Sequence, residues 1–161
     1  FNINKMKEVV KRKKGIQDVV IHVNESWKKI NDEFFKRFKK IMKHKIVFNE
    51  IKGYLTTTSR CPYNPNLNNP YFYFGGFNGI FHILKTSAHE IMHIQFHNTY
   101  WGKIEKEIGY EKTWDLKEAL TVLLNLEFND LWFVRDKGYE VHKDLRKFIE
   151  EEWNKKRILI F

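Results

Sequence analysis

Within SAHEIMHIQFHNTYW, residues 87–101, two histidines stand four apart and a glutamate follows the first: His89, Glu90, His93. On a helix, positions i and i+4 lie one turn apart on the same face, so both imidazoles reach one small ion. The surrounding residues prescribe such a helix. Ile80, Leu84, Ala88, Ile91 and Met92 recur at helical spacing and form an apolar face. His82, Thr86, His89, His93, His97 and Tyr100 fall near a second stripe. The spacing predicts one long helix over 80–100. Glu90 is offset by one residue, a poor place for a ligand and a good place beside a metal's open position. Zinc lowers the pKa of a water held there toward about 7, and a glutamate so placed accepts its proton.

A catalytic zinc takes three protein ligands and keeps one position open. His97 stands eight residues after His89, roughly 12 Å along a straight helix. Three side chains spread that far do not close easily on one ion. The pattern H-E-x-x-H-x-x-G-x-x-H solves this with a glycine, but Phe96 and Thr99 occupy the positions of its glycine and last histidine. Glu118, in LKEALTVLLN, is the better candidate. It lies in a second strongly apolar helix, 114–132, and the link through Gly102 and Gly109 is long enough to fold that helix back on the first. A carboxylate in so apolar a helix is either solvated at the surface, or paired or metal-bound. Asp115, Glu105, Glu111 and His142 remain as alternatives for the third ligand.

Upstream, KEVVKRKKG (7–15) reads as a basic helical turn or arm stopped by Gly15, and QDVVIHV (17–23) as a strand. Asn24 or Ser26 caps an amphipathic helix to about residue 45, in which Trp27, Ile30, Phe34, Phe38, Ile41 and Met42 share one face. IVF (46–48), GYLTTTS (53–59) and YFYF (71–74) read as strands. CPYNPNLNNP (61–70) holds all three prolines and reads as a loop. A third helix covers 140–156. The order predicts an α+β fold: a small mixed sheet with a backing helix, then the HEIMH helix and the glutamate-bearing helix. At 161 residues the chain suits one domain, with a basic arm at 1–16, sheet and backing helix at 17–79, and a helical part at 80–161.

HEIMH followed by KEAL on a later helix resembles the gluzincins, the thermolysin-like zinc metallopeptidases, and the small size is similar to their minimal single-domain members, the minigluzincins. The resemblance covers roughly residues 17–130. It implies a zincin-like fold and peptide hydrolysis, with His89, His93 and Glu118 holding zinc and Glu90 as general base and acid. It also implies that YFYFGGFNG (71–79) forms the cleft's rim and leads into the active-site helix, so that a peptide lies along the YFYF edge by strand addition. Phe72, Phe74, Phe77 and Phe81 then line pockets, or simply fill a core. Several gluzincins orient the first histidine with an aspartate four residues after the ligand glutamate. Val122 stands there in this chain, so Thr121 or Asn125 takes the role. GYEVH offers Tyr139 and His142 to stabilise the oxyanion, and His142 is favoured.

The net charge of +9 lies wholly in the first 45 residues, which carry 14 Lys/Arg against 5 Asp/Glu; the rest carries 15 of each. A basic face of that kind steers nucleic acid, anionic lipid or an acidic protein, or is only a solvated helix face. The alternative function is therefore a latent or inactive zincin-like domain acting as a basic nucleic-acid or protein-binding module; the ILIF tail (158–161) either blocks the cleft, forms an edge strand or packs on the core. No helix-turn-helix, zinc-finger or RRM signature accompanies the charge. The lone Cys61 excludes an internal disulfide framework, and no apolar run reaches 18 residues. No signal peptide is legible, so the expectation is a cytoplasmic chain without a transmembrane segment.

Overall fold

The computed structural model describes residues 3–58 and 60–158, with side chains described from 14 to 58 and from 60 to 156. The fold is α+β, mostly helical with one three-stranded sheet. It begins with a 40-residue helix, α1 (Ile3–Met42). The expected strand at 17–23 is part of that helix. Val19 and Val23 continue the spacing of Trp27, Ile30, Phe34 and Phe38, so the β-branched run is the first stretch of one helical stripe. Val23 is buried and Val19 packs against the core. Tertiary burial of that stripe outweighs the β preference of the valines and isoleucine. Gly15 does not stop the helix; a Cβ added there would meet nothing within 4 Å. Asn24 and Ser26, expected as caps, lie mid-helix. α1 ends at Met42, and Lys43 turns the chain with a positive φ.

Residues 46–48 are not a strand. They run as irregular chain, tied down by Gln95, whose Oε1 accepts from the Val47 backbone N–H and whose side-chain amide donates to the Lys45 carbonyl. The sheet is formed by β1 (Lys52–Thr56), β2 (Tyr63–Asn64) and β3 (Tyr71–Gly75) in the order β1-β3-β2. β1 runs parallel to β3 and β2 antiparallel to it, with Tyr63 opposite Phe72. The YFYF strand is therefore the middle strand, and the edge expected to be free is paired along Tyr71–Tyr73. A short strand within the proline- and asparagine-rich loop covers it.

β3 alternates as a half-buried strand should. Phe72 and Phe74 are buried and share a small cavity with Val20, Val23 and Trp27 of α1 and Ile91 of the following helix. Tyr71 and Tyr73 stand on the other face against Tyr54. Phe72 and Phe74 thus fill the core, while Phe77 and Phe81 are exposed.

α2 (Ile80–Phe96) passes through a π-helical turn, His97–Trp101, into α3 (Gly102–Ile108). Gly109 then turns the chain into α4 (Tyr110–Leu120). The expected single helix 114–132 is three pieces: α4, α5 (Val122–Glu127) and α6 (Asn129–Trp132), broken at Thr121 and Phe128. After an irregular stretch, a 3-10 turn (Glu140–His142) leads into α7 (Lys143–Ile158). α1 and β3 both pack on α2, and α4 packs on α7. Phe34, Phe38, Phe128 and Trp132 join α1 to the α5–α6 corner in one aromatic cluster. Among the described residues, no helix is long and apolar enough to cross a membrane. The ILIF tail lies outside the described residues, apart from the backbone of Ile158.

Candidate metal centre

α2 carries His89 and His93 one turn apart, with ring centroids 4.3 Å from each other. α4 brings Glu118 opposite them. Its Oε2 stands 3.3 Å from His93 Nε2 and 3.6 Å from His89 Nε2. One ligand atom from each of the three residues falls within 4.8 Å of the other two. Among the described residues this is the only group of three such side chains close enough to hold an ion. His97 is not in it. Its ring stacks on Trp101 at 4.9 Å, in the π-helical turn.

The donor set fits zinc. Two imidazole nitrogens and one carboxylate oxygen make a three-ligand site of the catalytic kind. The fit is sharpest at His93, which is 2 % exposed and has no hydrogen bond at either ring nitrogen. Glu118 Oε2 faces Nε2 at ion-pair distance without a hydrogen bond, and an ion between the two accounts for that atom. Burial, reinforced by the neighbouring His89, pushes the His93 imidazole well below the usual histidine range. It is therefore neutral at pH 7, the form that ligates a metal.

His89 is held differently. Its Nδ1 lies 2.8 Å from Asp136 Oδ2, which leaves Nε2 to face His93 and Glu118. This carboxylate–histidine contact holds the ring; burial opposes its charge, but Asp136 and Glu118 raise the imidazole to about 9, so a metal at Nε2 displaces a proton. Asp136 is itself gripped from all sides. Thr121 Oγ1 and the Gly138 backbone N–H donate to Oδ1, and Arg146 and Lys85 lie at 3.3 and 3.5 Å. Asn125 pairs with both the backbone N–H and the carbonyl of Asp136. Thr121 and Asn125, expected to touch His89, act one step further out by holding Asp136. Gly138 is needed in this turn: its φ is +62°, and a Cβ would come within 2.7 Å of the Arg146 guanidinium.

No family model matches the chain, and no curated protein or solved structure is significantly similar to it.

Glu90 is 7 % exposed and lies on α2 beside the three residues. Burial raises its carboxyl to about 7, against the pull of His89. Glu118 goes the other way: burial opposes its charge, but the two histidines and Lys117 hold its carboxyl far below the usual range. Two neighbouring carboxylates are thus set apart, one as a permanent anion and one able to exchange a proton near neutrality.

An open cleft of about 430 Å³ borders His89, lined also by His82, Lys85, Asp136 and Tyr139. Of the two candidates in GYEVH, Tyr139 lines the cleft. His142 is not among its lining residues; its Nε2 lies 3.0 Å from Asp115 Oδ1, on α4, which also accounts for Asp115. On the sheet side, the Tyr63 ring of β2 lies 5.5 Å from the His93 ring. Asp136, Arg146, Lys117 and Tyr63 were not legible as site residues. Asp136 sits in VRDKG, where an Asp two residues before a Gly signals only a turn.

Proposed function

We propose that this chain is a zinc-dependent peptidase with a gluzincin-type arrangement, zinc being held by His89, His93 and Glu118. The observation that carries the reading is the convergence of those three donors within 4.8 Å, with His93 Nε2 making no hydrogen bond and the buried Glu90 beside them. The order of a long helix, a small mixed sheet, the HEIMH helix and a glutamate-bearing helix supports a zincin-like fold. Zinc at this position supplies a Lewis acid and an acidified water.

The chain's own groups do the rest. Asp136 keeps His89 in the tautomer that offers Nε2 to the site. Glu90 takes the water's proton on its carboxylate and returns it to the leaving amine. Tyr139 stands in the cleft wall as the candidate hydroxyl for the oxyanion, the role expected of His142. A peptide that pairs with the sheet does so along β2, whose one described partner is β3 and whose residue Tyr63 adjoins His93.

Elemental analysis of the purified protein, with a peptide-library digest, tests this. The expected result is about one zinc per chain, in line with a single site, and cleavage that Glu90→Gln abolishes while zinc is retained. A chain that takes up no zinc after incubation with the metal overturns the reading.

A further inference from the structure

Lys117 is a buried charge that the reaction above does not use. Its side chain is 1 % exposed. Lysine is almost never so closed to water unless it is paired. Here its Nζ stands 2.8 Å from Glu118 Oε1 and 3.6 Å from the centroid of the Trp114 ring, and it donates to the Tyr63 hydroxyl at 3.3 Å. Carboxylate, indole face and phenol form three walls around one ammonium. A compact ammonium with three donors suits that pocket better than a planar guanidinium.

The two oxygens of Glu118 therefore have different neighbours. Oε2 faces both histidine Nε2 atoms, and Oε1 faces the ammonium. We propose that Lys117 is a positioning residue which, by holding Oε1, makes Glu118 a one-oxygen ligand and keeps the metal's fourth position open. The inference rests on the zinc reading of the site. A carboxylate binds a metal through one oxygen or both. Binding through both adds a donor atom, so that a water or substrate then makes a crowded five-coordinate site instead of taking an open fourth position. The ammonium competes for the second oxygen, and with no route to solvent it has no better partner. Trp114 and Tyr63 hold it there by the attraction of a cation to an aromatic face and by a hydrogen bond. Tyr63 also packs on His93, so the same phenol touches the clamp and a ligand.

Cobalt(II), loaded in place of zinc, reports coordination directly. Its visible absorption is intense in a four-coordinate site and several-fold weaker at higher coordination. The wild-type protein is expected to give the intense spectrum. Lys117→Met, close in shape and without a donor, is expected to give the weak one, with circular dichroism unchanged. Lys117→Arg, which keeps the charge and the donor, is expected to restore part of the intensity. A folded Lys117→Met protein with the wild-type cobalt spectrum overturns this inference alone. A wild-type protein that binds no cobalt overturns the zinc reading and this inference with it. A crystal structure of the zinc-loaded wild-type protein decides the matter without a variant. One Glu118 oxygen on zinc and the other on Lys117 supports the inference, and two oxygens on zinc overturn it.

Discussion

The aromatic cluster around Phe34 and the polar centre around His93 are both closed to water, but they are built from opposite materials. Phe34 and Phe38 are fully buried and stack at 5.2 Å, and Phe128 and Trp132 stack on each other at 5.8 Å. Each ring gains by leaving water, and the geometry of the pairs adds to that gain. In the polar centre, His93, Lys117, Glu118, Asp136 and Arg146 are all less than 8 % exposed. Burying such groups costs free energy, which their mutual pairing only partly returns. The cluster joins α1 to the α5–α6 corner. The polar centre joins α2, α4 and α7 through charges that a purely structural junction does not require. A fold that carries such a cost at one place has concentrated there the groups a ligand would use.

The sharpest way to break this division is to empty the aromatic side. Phe34→Ala should lower stability by about 3–5 kcal/mol, read by chemical denaturation, while the protein that remains folded binds cobalt as before. If metal affinity falls with stability, the two regions are not separable. Asp136→Ala attacks the other side. It leaves the three donors in place but frees the His89 ring, and cobalt affinity should fall by about 10–100-fold, measured by competition with a chelator. A smaller effect than that removes Asp136 from the site.

His97→Ala tests whether any histidine on this helical run matters. His97 only stacks on Trp101, so cobalt affinity should be unchanged, with a stability loss of about 0.5–1.5 kcal/mol for the lost ring pair. The smallest effect belongs to an exposed ion pair at the rim of the aromatic junction. Arg37 binds Asp130 at 2.7 Å, but the Asp130 side chain is 59 % exposed. Asp130→Asn should cost about 0.2–1 kcal/mol, less in high salt. The Arg37 guanidinium holds the Asp130 carboxyl below its ordinary value near 3.8. Its contribution is thus present above that pH and lost as the pH falls through the lowered range. Stability measured at two acidities checks the sign.

Much of the helical part was legible. α2 begins at the expected Ile80, and Leu84, Ala88, Ile91 and Met92 of the expected apolar face are buried, although from Glu90 to Phe96 the helix is buried on every side. The α+β class and the YFYF strand also follow from local pattern. The start of the chain was misread because a β-branched run and the first turns of an amphipathic helix look alike over seven residues. Only the continuation of Val19 and Val23 into Trp27 tells them apart. The site was legible unevenly. His89 and His93 share a helix face by spacing alone. Their approach to Glu118 needed the chain to turn at Gly109, where φ is +84°; Gly102, expected in the link, is helical.

The local sequence by itself determined the periodic elements and which residues share a face, because those depend on neighbours three or four positions away. Only the tertiary structure decided which groups meet across long separations. Asp136 reaches His89 from 47 residues away, and Tyr63 reaches Lys117 across 54. β2 closes the edge of β3 from within a loop whose prolines and asparagines signalled no strand. Such pairings are set by how whole elements pack and by the need to satisfy buried charges, and neither leaves a mark in the spacing of a single segment.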